Sequence, residues 1–205
     1  IALLYVPAHT KGLDFGDFEV KAGMAADRNC SIYFDNVRVP KRYRVAGPGD
    51  DAKLFRQLLV AGNIGSAGMS IGPAQNTFEI VTKYATERVA GGKPIKEHSI
   101  TAVMLADMAI GIETARTYAL NVAHMFDRPE IYGPRWSSEM VAKSRIAKVY
   151  AADVGVRVTD EAQRLMGSNG YSRPYDVEKH WRDTKIGQIY LGGSIQGRLV
   201  IARYY

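Results

Sequence analysis

The order of hydrophobic and polar positions divides the chain into two unlike stretches. Over residues 1–46 the pattern is strand-like. Residues 1–6 form a continuous apolar run closed by Pro7, as in a buried strand. Residues 17–21 and 28–39 alternate, with Cys30, Ile32 and Phe34 on one face and Ser31, Tyr33 and Asp35 on the other. Turn residues at His9-Thr10-Lys11-Gly12 and at Gly23 separate these runs. Three strands without closure do not make a stable unit. Residues 1–46 are therefore expected to be the tail of a sheet whose earlier strands lie upstream.

Gly47-Pro48-Gly49-Asp50-Asp51 breaks the pattern, and Asp50 or Asp51 is placed to cap a helix. From there the spacing turns helical. A first helix is expected over residues 52–88, with Gly62, Gly65, Gly68 and Gly72 in its middle. Each glycine costs a helix up to ~1 kcal/mol against alanine. Their number predicts close approach of another backbone or of a flat ligand; the alternative is a loop or kink, with Pro73 opening a new helix. A second helix over 99–126 has Met104, Met108, Ile112, Ala115, Ala119, Val122 and Phe126 at three- and four-residue spacings. A third over 137–166 repeats the stripe with Met140, Ala147, Ala151, Val154, Val158, Ala162 and Leu165, and ends at Gly167 and Gly170. A short helix near Asp176 and a last one over 194–204 complete the expectation. The fold is mainly α: a partial β-domain (1–46) followed by an antiparallel four-helix bundle (47–205).

Composition changes this picture little. At 46% hydrophobic and 23% charged residues the chain has ample material for a core. No run of eighteen apolar residues occurs, which argues against a membrane span. The opening run lacks a basic leader and an initiator Met, so it reads as a strand entered in mid-protein. The single cysteine, Cys30, excludes an internal disulfide and is expected to be buried and inert. The net charge of +6 comes from scattered Lys and Arg, expected to form a solvated basic surface with some attraction for phosphate-bearing ligands. Nothing concentrates that charge as nucleic-acid binding would require.

The common catalytic patterns are missing. His9, His98, His124 and His180 have no metal-ligand spacing, so no metal is expected. Ser66-Ala67-Gly68 lacks the strand-to-turn setting of a nucleophile elbow. There is no phosphate-binding glycine fingerprint.

Four segments remain. Ser31-Ile32-Tyr33-Phe34-Asp35-Asn36-Val37-Arg38-Val39-Pro40 resembles the last strand of the middle domain of acyl-CoA dehydrogenases. Tyr84-Ala85-Thr86-Glu87-Arg88, followed by Gly91-Gly92-Lys93-Pro94-Ile95, resembles that family's helix junction. Gly167-Ser168-Asn169-Gly170-Tyr171 is similar to its glycine turn. The segment from Trp181 to Tyr190 is similar to the stretch that precedes its usual base. The four occur in the family's order, with matching gaps, across essentially the whole chain.

The resemblance implies FAD, an acyl-CoA substrate, a homotetramer or heterotetramer, and electron transfer flavoprotein as acceptor. It implies a bacterial cytoplasmic or mitochondrial matrix location. It places cofactor contacts at Arg88, Ser99, Arg164, Ser168, Gly193 and Ile195, and substrate contacts at Asn63, Tyr190, Leu191 and Gly192. The chemistry needs a carboxylate to take the proton α to the thioester carbonyl. The family's usual Glu falls on Leu191; the alternative base on the first bundle helix falls on Gly62, and its companion Arg on Asn63. Neither position can accept a proton. Three readings follow: an active enzyme for a cyclic or otherwise unusual acyl group with its base elsewhere, a non-catalytic subunit of a heteromeric dehydrogenase, or an acyl-CoA-binding scaffold without redox activity.

Overall fold

In the computed structural model, which describes residues 1–205, a two-stranded ribbon precedes a helical body. Strand β1 (Leu13–Phe18) runs antiparallel to β2 (Cys30–Phe34), pairing Leu13 with Phe34 and Phe15 with Ile32. The second strand lies within the expected 28–39. The first begins earlier than the expected 17–21, because pairing with β2 starts at Leu13 and Lys21 turns back to Asn29 and Asp27. Residues 1–6 do not form a strand. They make one bridge, Leu4 to Arg44, with Tyr5 and Val45 adding backbone bonds to Tyr43 and Leu3. Phe15, Phe18, Ile32 and Phe34 stay exposed, so nothing in this chain covers the ribbon. Cys30 is partly exposed rather than buried for the same reason.

Helix α1 (Asp51–Glu87) is continuous through Pro73. At 1.5 Å per residue it is ~55 Å long. Proline removes the bond to the Met69 carbonyl, but Met69 is exposed and water can satisfy that group. Neither aspartate caps the helix. Asp50 makes no capping bond, and the Asp51 carboxylate accepts from the Leu3 N–H (2.9 Å) and pairs with Arg44. A two-residue Gly91-Gly92 turn, with both φ angles positive, joins β3 (Val89–Ala90) to β4 (Lys93–Pro94). Then come α2 (Ser99–Asp127), the short α3 (Pro129–Tyr132) and α4 (Ser138–Met166), which Ser137 caps by accepting from the Met140 N–H at 3.1 Å. Helices α5 (Ser168–Tyr171), α6 (Val177–Thr184) and α7 (Gly193–Tyr204) follow. None is long and apolar enough to cross a membrane.

Helix α4 is the hub, packed against α1, α2, α6 and α7. The predicted stripes form the core: Met108, Ile112, Ala115, Ala119 and Val122 from α2 meet Met140, Ala147, Ala151, Val154, Val158 and Ala162 from α4. The alanines let the helices close on one another. Within this chain the glycines of α1 do not serve that purpose. Gly65, Gly68 and Gly72 have nothing near a hypothetical Cβ. The tight contact is made from α4, where a Cβ on Gly155 would sit 3.0 Å from the Ser70 carbonyl oxygen.

Polar pairs are buried along the seam. His180 of α6 lies between Thr77 (Nδ1 to Oγ1, 3.0 Å) and Asn76 (Nε2 to Nδ2, 3.3 Å). With Asn76 donating to Nε2, the ring proton sits on Nδ1 and is given to Thr77. Burial, helped by Lys179, holds this imidazole below its ordinary pKa. Two neighbouring residues clasp the ribbon to the bundle. The Arg182 Nη1 donates to the Ala22 carbonyl (2.7 Å), and Asp183 accepts from the Met24 N–H (2.5 Å) and from Lys179 (2.7 Å). Gly23 is required between them, since a Cβ there would lie 2.4 Å from the Arg182 carbonyl oxygen.

Candidate active site

The segment between α6 and α7 carries the candidate substrate residues. It leaves a 3-10 turn at Lys185–Gln188 and passes through three consecutive residues with positive φ: Leu191 (50°), Gly192 (85°) and Gly193 (61°). Two glycines adopt this at little cost, but a leucine there is strained and needs support. The support comes from α4. The Lys148 Nζ donates to the Tyr190 carbonyl (2.5 Å) and the Arg145 Nη1 to the Leu191 carbonyl. The Lys148 ammonium also lies 5.0 Å from the centre of the Tyr190 ring. On the far side the Tyr190 hydroxyl donates to Ser66 of α1.

This fold brings the two base positions together. A Cβ on Gly62 would lie 3.6 Å from Leu191 Cδ1, so the α1 position and the turn position face one another across van der Waals contact. A carboxylate at either would occupy the same place. Neither residue supplies one. Asn63, next to Gly62, is fully buried and points at α4, where its Nδ2 donates to Ser144 Oγ (3.1 Å) and its Oδ1 has no partner. Gly62, Asn63, Tyr190, Leu191 and Gly192 thus form one cluster, as the sequence implies. A cavity of about 340 Å³ adjoins it, walled by Tyr190, Ile186, Ile189, Met69 and the ribbon loop at Gly23–Met24.

The candidate cofactor residues fall into two groups. Arg88, at the end of α1, leaves its guanidinium exposed and free of any hydrogen bond or ion pair, as does Arg164 near the end of α4. The Asn169 side chain donates to the Tyr84 hydroxyl (3.1 Å), which draws the α4–α5 turn, with Ser168, to the end of α1. The Ile95 N–H donates to the Arg88 carbonyl (2.8 Å), which brings the start of α2, with Ser99, to the same end. Gly193, against the Gln188 carbonyl, and the exposed Ile195 open α7 elsewhere, on the helix whose Gly197 meets Val149 of α4. Along α4 the two groups are ~20–30 Å apart. Unpaired guanidiniums beside serine hydroxyls suit a diphosphate. A dinucleotide such as FAD fits this donor set, with its phosphates at the Arg88 end. Among His, Cys, Asp and Glu no group of three is placed to hold a metal.

Two residues that the sequence left among the solvated cations prove central. Lys148 is 0% exposed and Arg145 8%. Neither makes an ion pair, and the Arg145 Nε has no hydrogen-bond partner. Burial lowers the pKa of Arg145. Burial, then the charge of Arg145, lowers that of Lys148. The signal was present: Lys148 is four residues after Ser144 and three before Ala151, in register with the buried stripe.

Comparison with known proteins accounts for this arrangement. The family model for the acyl-CoA dehydrogenase C-terminal domain matches residues 52–205. The short-chain specific acyl-CoA dehydrogenase of Bos taurus mitochondria is 32% identical over 202 residues, covering 98% of this chain and 47% of that protein. A cyclohex-1-ene-1-carbonyl-CoA dehydrogenase of Geobacter metallireducens is 30% identical over 203 residues, 99% of this chain and 52% of that protein. The butyryl-CoA dehydrogenase structure from Megasphaera elsdenii superposes with a TM-score of 0.88 at 30% identity, over 99% of this chain and 51% of that one. The chain belongs to the acyl-CoA dehydrogenase family. It spans about half the length of the curated relatives it matches.

Proposed function

We propose that the protein carrying this chain is a FAD-dependent acyl-CoA dehydrogenase that introduces an α,β double bond into an acyl-CoA thioester, with its base outside Gly62 and Leu191. The observation that carries the reading is the meeting of these two positions, where a Cβ on Gly62 would lie 3.6 Å from Leu191 Cδ1 and neither residue is a carboxylate, in a chain that otherwise keeps the family fold. A cyclic or otherwise unusual acyl group is the substrate class this reading favours. In this reading residues 1–46 belong to the middle β-domain and 47–205 to the C-terminal bundle.

When bound, FAD supplies acceptance of the β-hydride. This chain's residues bind and orient. Arg88 and Arg164, with Ser99 and Ser168, hold the diphosphate end. The turn at Leu191–Gly193 and the first residues of α7, including Ile195, border the acyl end. Tyr190 lines the substrate side and the bulk of Leu191 keeps water from it, while Asn63, buried against Ser144, ties α1 to α4 behind it. The separation of the two cofactor groups favours an assembly, a homotetramer or heterotetramer, in which a second chain completes each site. Electron transfer flavoprotein would take the electrons, in a bacterial cytoplasm or a mitochondrial matrix.

A second reading, a non-catalytic subunit in a heteromeric dehydrogenase, is favoured by the loss of the carboxylate at both positions at once. Anaerobic titration of the full-length protein with linear and cyclic acyl-CoAs separates the two. Bleaching of the flavin by any thioester supports a working base elsewhere. Flavin that none of them bleaches, or a preparation without flavin, supports the heteromeric subunit.

A further inference from the structure

We infer that the Tyr190 hydroxyl is the group on this chain that donates a hydrogen bond to the thioester carbonyl of a bound acyl group, with Ser66 and Lys148 as the residues that position it. The inference rests on the acyl-CoA reading above and assigns a role within that site.

Three observations converge. The first is a hydroxyl proton to spare. Ser66 is 2% exposed, and the Tyr190 hydroxyl is the only hydrogen-bond partner of its side chain. Ser70, Thr86 and Thr159 each turn their hydroxyl back to the carbonyl four residues earlier, at Ser66, Thr82 and Gly155. Ser66 does not. The two hydroxyls therefore carry two protons and share one bond. Hydroxyl hydrogens rotate to suit their surroundings, so when Ser66 donates to Tyr190 the phenolic proton is released to an acceptor beyond the pair. The protein offers it only the Met69 Sδ at 3.8 Å, a weak acceptor. No Asp or Glu occurs from Ala52 to Phe78 on α1, or from Lys185 to Tyr205 through the turn and α7, to compete for it.

The second is room beside the hydroxyl. Tyr190 and Met69 both wall the cavity of about 340 Å³, together with Met24, Ile186 and Ile189. The charged groups on its rim are engaged. Lys21 binds Asp27 and Asn29, Arg182 binds Glu178 (2.8 Å) and the Ala22 carbonyl (2.7 Å), and Lys185 binds Gln188 (2.8 Å). Apolar walls with one free donor suit a ligand with an apolar body and one strong acceptor. In a simple acyl thioester that acceptor is the carbonyl oxygen.

The third is a fixed aim. The Lys148 Nζ donates to the Tyr190 carbonyl (2.5 Å) and lies 5.0 Å from the centre of the same residue's ring. One ammonium thus holds both the backbone and the ring, while Ser66 holds the far end. A donor restrained in this way loses little freedom on binding and needs no reorganisation. Ser66 is one helical turn from Gly62, and Tyr190 immediately precedes Leu191, so the donor belongs to the same corner as the two base positions. A hydrogen bond to the carbonyl draws charge onto its oxygen and makes the neighbouring α C–H more acidic.

The test uses the full-length protein, reduced with dithionite so that a bound thioester is not oxidised. Isothermal titration calorimetry compares hexanoyl-CoA with S-hexyl-CoA, the thioether that lacks the carbonyl. The inference expects the thioester to bind about tenfold more tightly, and that ratio to fall to within about twofold in Tyr190→Phe. Difference infrared spectra of hexanoyl-CoA labelled with carbon-13 at the carbonyl give a readout that a purely structural role would not move. The carbonyl band should shift to lower frequency on binding, return toward its free position in Tyr190→Phe, and lie between the two in Ser66→Ala. Equal affinities for the two compounds, or a band that shifts as far in Tyr190→Phe as in the parent, would overturn the inference while leaving the acyl-CoA reading standing. Binding of neither compound would remove the acyl-CoA reading itself, and this inference with it. Should Tyr190→Phe fail to fold, Ser66→Ala decides: an unchanged ratio and an unchanged band would overturn the inference.

Discussion

Two corners of the molecule bury charge, and they do so in opposite ways. At the start of α1, Asp51 is 3% exposed and fully engaged: Arg44 pairs with it and the Leu3 N–H donates to it. The Arg44 guanidinium beside it and the Leu3 donor hold its carboxyl below the usual carboxylate range. Halfway along the bundle, Arg145 and Lys148 are as deeply enclosed with no acid in reach. The first arrangement joins the N-terminal segment to the helix and is complete in itself. The second is held by two backbone carbonyls and the face of the Tyr190 ring.

Breaking the paired corner should have the largest effect on stability. Asp51→Asn leaves Arg44 without its anion and should lower the thermal midpoint more than any other variant named here. The wild-type contribution is present above the unfolded aspartate pKa of about 3.9 and is lost as pH falls through the lower folded value. Asp51→Asn should therefore be less pH-sensitive in acid than the parent, as denaturant melts over a pH series would register. The unpaired corner should matter less. Lys148→Met keeps the length but leaves the Tyr190 carbonyl without its donor, and should cost about 1–3 kcal/mol, readable in urea melts. The smallest effect concerns His180, buried neutral. Because its folded pKa is depressed, its contribution is present above the unfolded value of about 6.5 and declines as pH falls below it. His180→Gln should flatten that part of the stability profile.

Much of the bundle was legible because its helices obey a single period. The stripes on α2 and α4 were read from spacing alone, and their members are the residues that meet in the core. The ribbon was less so, since a strand's limits depend on what it pairs with, and β1 took its register from β2. The glycines of α1 suggested an approach that the chain makes elsewhere, at Gly155, a lone glycine that carried no signal by itself. At the candidate site, the motifs put Gly62, Asn63, Tyr190 and Leu191 on one list, and the fold put them in one place. For Lys148 the burial was legible from its register with the stripe, but the partners of Arg145 and Lys148 were not: they are carbonyls more than forty residues away, and a carbonyl leaves no trace in a sequence.

The acid-free stretches of α1 and of residues 185–205 bear also on how fast a ligand arrives. Cations without neighbouring acids produce a field that extends into solvent over roughly a Debye length, about 8–10 Å at ordinary ionic strength. An anion drifting past is drawn inward before it touches the protein. Added salt should therefore slow the association of anions with this face.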